Sequence, residues 1–426
     1  MSKLFSSERV GSLCKRNSNF LFLGAMKFLL SGAWGYGNIG DDAILEATLP
    51  LIKKVDSKAD ITCVTYDLKF TSEAGISFDH PLELSMHRAL SGTEGFWFMT
   101  TKNHAVSCYE WPKIPQRLFQ RFLKPICQKI SENIDKRKTK GAYDKLEQLF
   151  RDADVFLMSG GGYFNTWPKQ FDARIKELEL AHRFNCKVVL FGQSIGPFTE
   201  KQKTILKRTI LPSDIFCVRD PESVQEIEQL GFASSLAPDL AMGTSHRVII
   251  QKGLLTVCPA EIRPEQEQVL SIHIANLVRI YGYRVRLILT RWIDPDVASM
   301  HRLDSKLHAL GITNVEMIYP KTYPELVKAI EGSEWMLSRG LHAMILAWRA
   351  GTRVFALTKS RKVDGFLQAI HSLENQCKES DWENLTSVFA ERSKQKQEWD
   401  EKLHVEITEK IEREFVDSFK KVGLCV

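Results

Sequence analysis

Residues 26–45 read MKFLLSGAWGYGNIGDDAIL. The apolar run at Phe28, Leu29 and Leu30 is too short for a helix and is bounded by Ser31 and Gly32, so it predicts a buried strand. The glycine-rich loop that follows ends at Asp41 and Asp42, which suit the first turn of a helix running to about Lys54. A second strand, ITCVTYD, follows at 61–67. Strand, loop, helix, strand is the first unit of a parallel sheet.

Working outward, VFLMSGGG, KVVLFGQSIGPF and IFCVRD are further short apolar strands, each ending in a loop. The pattern pauses between Ala237 and Arg247, and LLTVCPA, RVRLILTRW, NVEMIYP, WMLS and RVFALT then form a second series. The fold expected is therefore α/β, with two doubly wound Rossmann-like domains facing a cleft, over 26–246 and 247–380. Residues 1–25 read as a flexible extension, with Met26 a possible start. Residues 84–150 read as a helical insertion in the first domain, and 381–426 as a C-terminal helical tail with Trp399, Leu403, Ile407, Ile411 and Phe415 four apart.

Composition narrows the function. The chain has 426 residues, 44% of them hydrophobic and 26% charged, which suits two globular domains. A net charge of +6 is too mild for a nucleic-acid binder and fits a small anionic substrate. Nine scattered cysteines form no close pair, which points to reduced thiols and a cytoplasmic protein. Residues 15–33 imitate a secretion signal, but Lys27 interrupts the apolar run and the first strand is the better use for it.

Several motifs fall at strand ends, where ligands of open α/β sheets bind. Gly35, Gly37 and Gly40 spell G-x-G-x-x-G, with Asp67 ending the next strand where a ribose-binding acid would stand. Against a dinucleotide, Asp41 and Asp42 bring negative charge where a pyrophosphate needs amide ends. Gly35, Gly37, Asn38 and Asp41 are instead candidates to line a substrate, with Asp41 orienting a sugar hydroxyl; a purely structural turn is the alternative. Gly161 and Gly162 in SGGG, Gln193 in GQSIGPF and Ser223 in VRDPES would line the same crevice.

Arg219 emerges from an apolar strand and needs an anionic partner, either a ligand or the nearby Asp220 or Glu222. In SRGLHAMILA, Ser338, Arg339 and His342 fall at a helix N-terminus, where an anion is stabilised and an imidazole can be tuned. A lone histidine beside an apolar helix also has a structural reading. Asp294-Pro295-Asp296 spells the metal-binding D-x-D of sugar-nucleotide transferases, yet its proline favours an ordinary turn, and no metal is expected.

Six blocks, MKFLLSGAWGYGNIGDDAIL, SGGGYF, GQSIGPF, VRDPES, APDLAM and SRGLHAMILAWRAG, stand in this order between Met26 and Phe366. Together they resemble the signature of the polysaccharide pyruvyl transferase family. The resemblance implies a glycosyltransferase-B type architecture, phosphoenolpyruvate as donor, a glycan or lipid-linked oligosaccharide as acceptor, and no cofactor. By position it places the arginine of the family's R-D-x-x-S block on Arg219 and the histidine of its R-L-H-A block on His342. The order departs at Gly340, which separates Arg339 from Leu341 where the family has arginine directly before leucine.

On that reading Arg219 and Arg339 hold the donor's anionic groups and His342 moves a proton. A sugar-nucleotide glycosyltransferase and a non-catalytic relative are the rivals. The basic stretch 113–140, with Leu118, Phe122, Ile126 and Ile130 four apart, suggests peripheral docking on an anionic membrane, the alternative being a solvated face.

Overall fold

A computed structural model of the chain describes residues 25–34, 38–64, 80–82, 144, 146–166, 168–243, 249–260, 262–291, 294–394 and 400–424. The expectations for 1–24, Gly35, Gly37, Asp67, Trp399, the basic stretch 113–140 and most of the insertion lie outside these residues.

The first domain runs β1 (Lys27–Ser31), α1 (Ile39–Val55), β2 (Asp60–Val64), β3 (His80–Leu82), β4 (Val155–Ser159), α2 (Pro168–Arg183), β5 (Lys187–Gln193), α3 (Glu200–Thr209), β6 (Ile215–Val218), α4 (Pro221–Leu230) and β7 (Ser235–Leu236). Its strands lie in the order β3-β2-β1-β4-β5-β6-β7, every pair parallel. Residues 28–30, within the stretch that imitates a secretion signal, are the buried centre of β1. A parallel strand covered on both faces has to be apolar throughout, which is why its text is a continuous run.

The second domain runs β8 (Leu254–Cys258), α5 (Pro264–Tyr281), β9 (Arg284–Ile288), α6 (Asp294–Ala309), β10 (Val315–Ile318), α7 (Tyr323–Ile330), β11 (Trp335–Ser338), α8 (Leu341–Arg349), β12 (Arg353–Ala356), α9 (Arg361–Ala369) and α10 (Leu385–Ser393). Its strands are also all parallel, in the order β10-β9-β8-β11-β12. Local signals stop and start these helices. Thr199 and Gln202 form a reciprocal capping box on α3, Asp220 caps α4, and left-handed Gly231 and Gly282 end α4 and α5.

The region read as one tail divides between the domains. Phe389 of α10 packs on Trp335 and Phe355, ring centroids 4.9 and 5.5 Å away. The last helix, α11 (Glu401–Lys421), returns to the first sheet, where Phe415 meets Phe191 at 4.9 Å and Phe419 meets Phe28 at 5.7 Å. Each aromatic side chain so buried contributes roughly 1.5–3 kcal/mol.

Both sheets reverse strand order at their centres, between β1 and β4 and between β8 and β11. Those switch points are where crevices open at the carboxyl ends of strands. Here the two crevices meet: the Ile39 amide donates to the Thr290 carbonyl at 2.9 Å, and Asn38 forms an isolated antiparallel bridge with Arg291. Farther back, Arg349 of α8 donates to the Ala241 carbonyl and the Tyr323 hydroxyl, both at 3.1 Å.

Candidate active site

Arg219 leaves the end of β6 with its side chain buried, and its Nε donates to Ser194 Oγ at 2.8 Å. Its charge is met by Asp239, twenty residues on, rather than by the adjacent Asp220 or by Glu222. Asp220 is otherwise engaged, accepting from the Ser223 amide at 2.9 Å and the Ser223 hydroxyl at 2.6 Å. Ser223 also receives the Ile195 amide at 2.8 Å. It therefore braces the loop after β5 instead of forming a wall of the crevice. Asp239 divides its oxygens: Oδ1 accepts from the Ala241 amide at 2.9 Å, while Oδ2 faces Arg219 and stands 3.9 Å from His342 Nε2.

His342 occupies the first turn of α8, whose cap residue Gly340 offers no side chain to the free amides. Its side chain is 12% exposed, and among the described residues Nε2 has no hydrogen-bond partner. Burial pushes the imidazole down to about 4, with Arg219 and Lys362 adding to the effect and Asp239 opposing it. The ring is thus neutral near pH 7. It packs directly on Gly40, where a methyl group would stand 2.2 Å from Nδ1.

Next to that glycine, Asp41 is 5% exposed, and its carboxylate accepts from the Asn38 side-chain Nδ2 at 2.8 Å. Burial raises its carboxyl to about 6, against the pull of Arg219, Asn38, the Tyr163 hydroxyl and Lys362. Beneath Tyr163 lies a buried polar layer in which Arg174 crosses the ring at 5.2 Å and pairs with Glu177 at 2.6 Å, and Glu177 receives Ser31 Oγ at 2.7 Å. The glycines after β4 bring this loop against α1. Gly160 has φ +59°, and a Cβ there would fall 2.3 Å from Ile44. Gly161 accepts the Ser194 amide at 2.8 Å, and Gly162 faces Ser194.

A cavity at the domain boundary is lined by Arg219, Asp239, Leu341, Lys362 and Phe366 among others. Lys362 keeps an exposed surface yet is ringed by protein, and this crowding, with Arg219 beside it, lowers its pKa. An exposed surface within a ringed position is what a cation facing a cleft shows. Its neighbour Arg361 ties α9 to the first domain, donating to the Ile195 carbonyl at 3.1 Å and standing 3.6 Å from Asp220.

Asp239, Ser194, Tyr163 and Lys362 were missed as site residues in the sequence. Asp239 stands within the APDLAM block, and Lys362 follows the end of β12 in TKSRKV, so the strand-end rule applied once more would have found it.

The structure brings Asp41, Arg219 and His342 together, and leaves others apart. Arg339 donates to Glu379 at 3.0 Å and, like His342 and Asp41, is not among the residues that line the cavity. Glu379 also accepts from Thr358 at 2.6 Å, and these bonds hold its carboxyl below the usual range against the upward push of burial. Ser338 accepts the Gly340 amide at 2.8 Å, fixing the turn before α8. Gln193 is fully buried in β5, its carbonyl accepting the Arg219 amide at 3.1 Å. In the D-x-D sequence, Asp296 accepts a two-pronged bond from Arg291, both arms 2.8 Å, within the opening turn of α6. No group of three or more metal-ligating side chains occurs among the described residues.

The family model for polysaccharide pyruvyl transferases matches residues 38–361, well over half of the chain. The chain belongs to the polysaccharide pyruvyl transferase family. This pyruvyl transferase family member has the glycosyltransferase-B fold, as its structural neighbours show. One is a UDP-GlcNAc 2-epimerase from Methanocaldococcus jannaschii, with 12% identity and a TM-score of 0.57, over 91% of this chain and 98% of that one. Another is the UDP-GlcNAc 2-epimerase from Neisseria meningitidis bound to UDP-GlcNAc, with 11% identity and a TM-score of 0.53, over 93% and 100%. A third is the α,α-trehalose 6-phosphate synthase from Burkholderia multivorans, with 8% identity and a TM-score of 0.51, over 94% and 98%. At such identities the likeness is one of fold alone. No curated protein matches the sequence. Among the described residues of this pyruvyl transferase family member, no helix is long and apolar enough to cross a membrane.

Proposed function

We propose that the protein transfers the enolpyruvyl unit of phosphoenolpyruvate to hydroxyls of a glycan, forming a pyruvate ketal and releasing phosphate. The observation that carries this reading is the pair of cations Arg219 and Lys362 at one cavity between the domains, with a neutral imidazole, His342, 3.9 Å from the Asp239 carboxylate that pairs with Arg219. Phosphoenolpyruvate is strongly anionic near neutral pH, and fixed cations compensate for removing it from water. Its carboxylate or phosphate would take the place of Asp239 as partner for Arg219.

The reaction protonates the donor methylene, adds a sugar oxygen to the adjacent carbon, and closes the ketal as a second hydroxyl displaces phosphate by carbon–oxygen cleavage. A buried imidazole with a free Nε2 is suited to one of these proton transfers, a role worth roughly 10²–10⁴-fold in rate. No resident cofactor is assigned; the donor is a substrate.

The test is phosphate release from phosphoenolpyruvate in the presence of glycan acceptors, run beside cleavage of UDP-sugars. Acceptor-dependent phosphate release with formation of a ketal supports the proposal. Cleavage of a UDP-sugar with phosphoenolpyruvate untouched would replace it with a sugar-nucleotide activity on the same fold.

A further inference from the structure

Two groups that titrate face the domain boundary from opposite sides, and the chain couples them. Gly40 of α1 touches the His342 ring, so the next residue, Asp41, is held beside the same crevice from the first domain. Arg219 and Lys362 act electrostatically on both groups, and Asp239 pairs with Arg219 while standing 3.9 Å from His342 Nε2. The carboxyl of Asp41 is also met by Asn38 and Tyr163, and the imidazole by Asp239. Asp41 is therefore more than a good helix-starting residue.

We propose that Asp41 is the acid that delivers a proton to the methylene carbon of the donor, while Nε2 of His342 receives the proton of the attacking sugar hydroxyl. The assignment rests on the phosphoenolpyruvate reading. Its proton count closes: the carboxyl proton forms the new methyl group, and the first hydroxyl proton passes to His342. The second hydroxyl proton restores the carboxyl, and the imidazolium returns its proton to the departing phosphate. One C–H and two C–O bonds form, while the carbon–carbon double bond becomes single and one C–O bond to phosphate breaks.

The electrostatics of the crevice fit this direction. Burial displaces the carboxyl up to about 6 and the imidazole down to about 4, reversing their usual order. Between those values the proton rests on Asp41 and His342 is free to accept one, the relation expected of an acid and a base working together. A bound trianion would hold the proton on Asp41 to still higher pH.

The experiment compares wild type with Asp41→Asn and Asp41→Glu, measuring kcat against pH and phosphoenolpyruvate affinity by calorimetry. Wild-type kcat should fall as pH rises through the Asp41 titration. Asp41→Asn should lose at least about 10²-fold in kcat while still binding donor, and its residual rate should lack that descending limb. Asp41→Glu should keep the limb at reduced rate, which serves the test should the asparagine variant not fold. Near wild-type turnover in Asp41→Asn, or an unaltered limb in both variants, overturns the assignment. If wild type itself releases no phosphate from phosphoenolpyruvate with any acceptor, the functional reading falls and this assignment with it; turnover by wild type and Asp41→Asn alike removes only the assignment.

Discussion

Gly40 of the first domain and His342 of the second lie in contact across the boundary, so closely that a Cβ on Gly40 would stand 2.4 Å from the Cβ and Cγ of the histidine. Separations of this kind do not occur between real side chains, so Gly40→Ala must turn the imidazole or part the domains. Displacement by about an ångström commonly costs 10²-fold in rate, and a fall in kcat of about that size is expected. Donor affinity should hold, since Arg219 and Lys362 lie on other elements. Steady-state kinetics with calorimetry reads both, and an unchanged kcat would show that the ring's placement is not required.

The arginines should separate in donor binding. Arg219→Lys loses the two-sided grip on Ser194 and Asp239, and Lys362→Ala removes a cation from the cavity wall. Each should weaken phosphoenolpyruvate binding by about 10-fold or more, as loss of a charge-assisted bond does. Arg339→Lys should leave affinity within about twofold, because Arg339 faces Glu379. Calorimetric titration of the three variants decides it, and a large loss in Arg339→Lys would place that residue on the donor after all.

Asp41 also carries a stability signature. Its folded carboxyl titrates at about 6 against an ordinary value of 3.8, so between these values the folded chain binds the proton and the unfolded chain does not. The stabilisation is complete below about pH 4 and is lost as pH rises through 6, a change of about 3 kcal/mol. Asp41→Asn lacks this titration. The difference in Tm between variant and wild type should therefore move in the variant's favour from pH 4 to pH 7; a flat difference would mean the carboxyl is not displaced.

Membrane docking remains a proposal from sequence. Several cations of the basic stretch near an anionic surface would contribute on the order of 1 kcal/mol each. Wild type should pellet with anionic liposomes at low salt and less at high salt, and a variant with Arg117, Arg121 and Lys124 changed to glutamate should stay in solution. Equal behaviour of the two proteins would dispose of the idea.

What the sequence disclosed follows from the range of the forces involved. Strand and helix positions are written locally, in apolar runs and caps, and each strand from β4 onward read as a separate run coincides with one in the structure, apart from the two-residue β7. The positions of Arg219 after β6 and of His342 in the helix after β11 were legible because the flanking strands are local apolar runs. Partners were not. Arg219 meets Asp239 rather than its sequence neighbours because the neighbour at 220 is consumed in capping α4, a competition visible only in three dimensions. The bond from Arg339 to Glu379 was not legible for the same reason, since nothing local announces a partner forty residues on. The helices after 381 could be foreseen, but not that α10 and α11 pack on different domains.

That division has a consequence for how the molecule is made. Phe415 and Phe419 complete the core around Phe191 and Phe28, on strands from the front of the chain. A ribosome delivers residues in order, and domains ordinarily fold as they emerge. Here the first domain emerges lacking a side of its core, and must wait until the second has been synthesised before α11 arrives. Premature stop codons beyond Ser393 would thus injure the domain translated first, leaving the later one, with α10 already in place, the more intact.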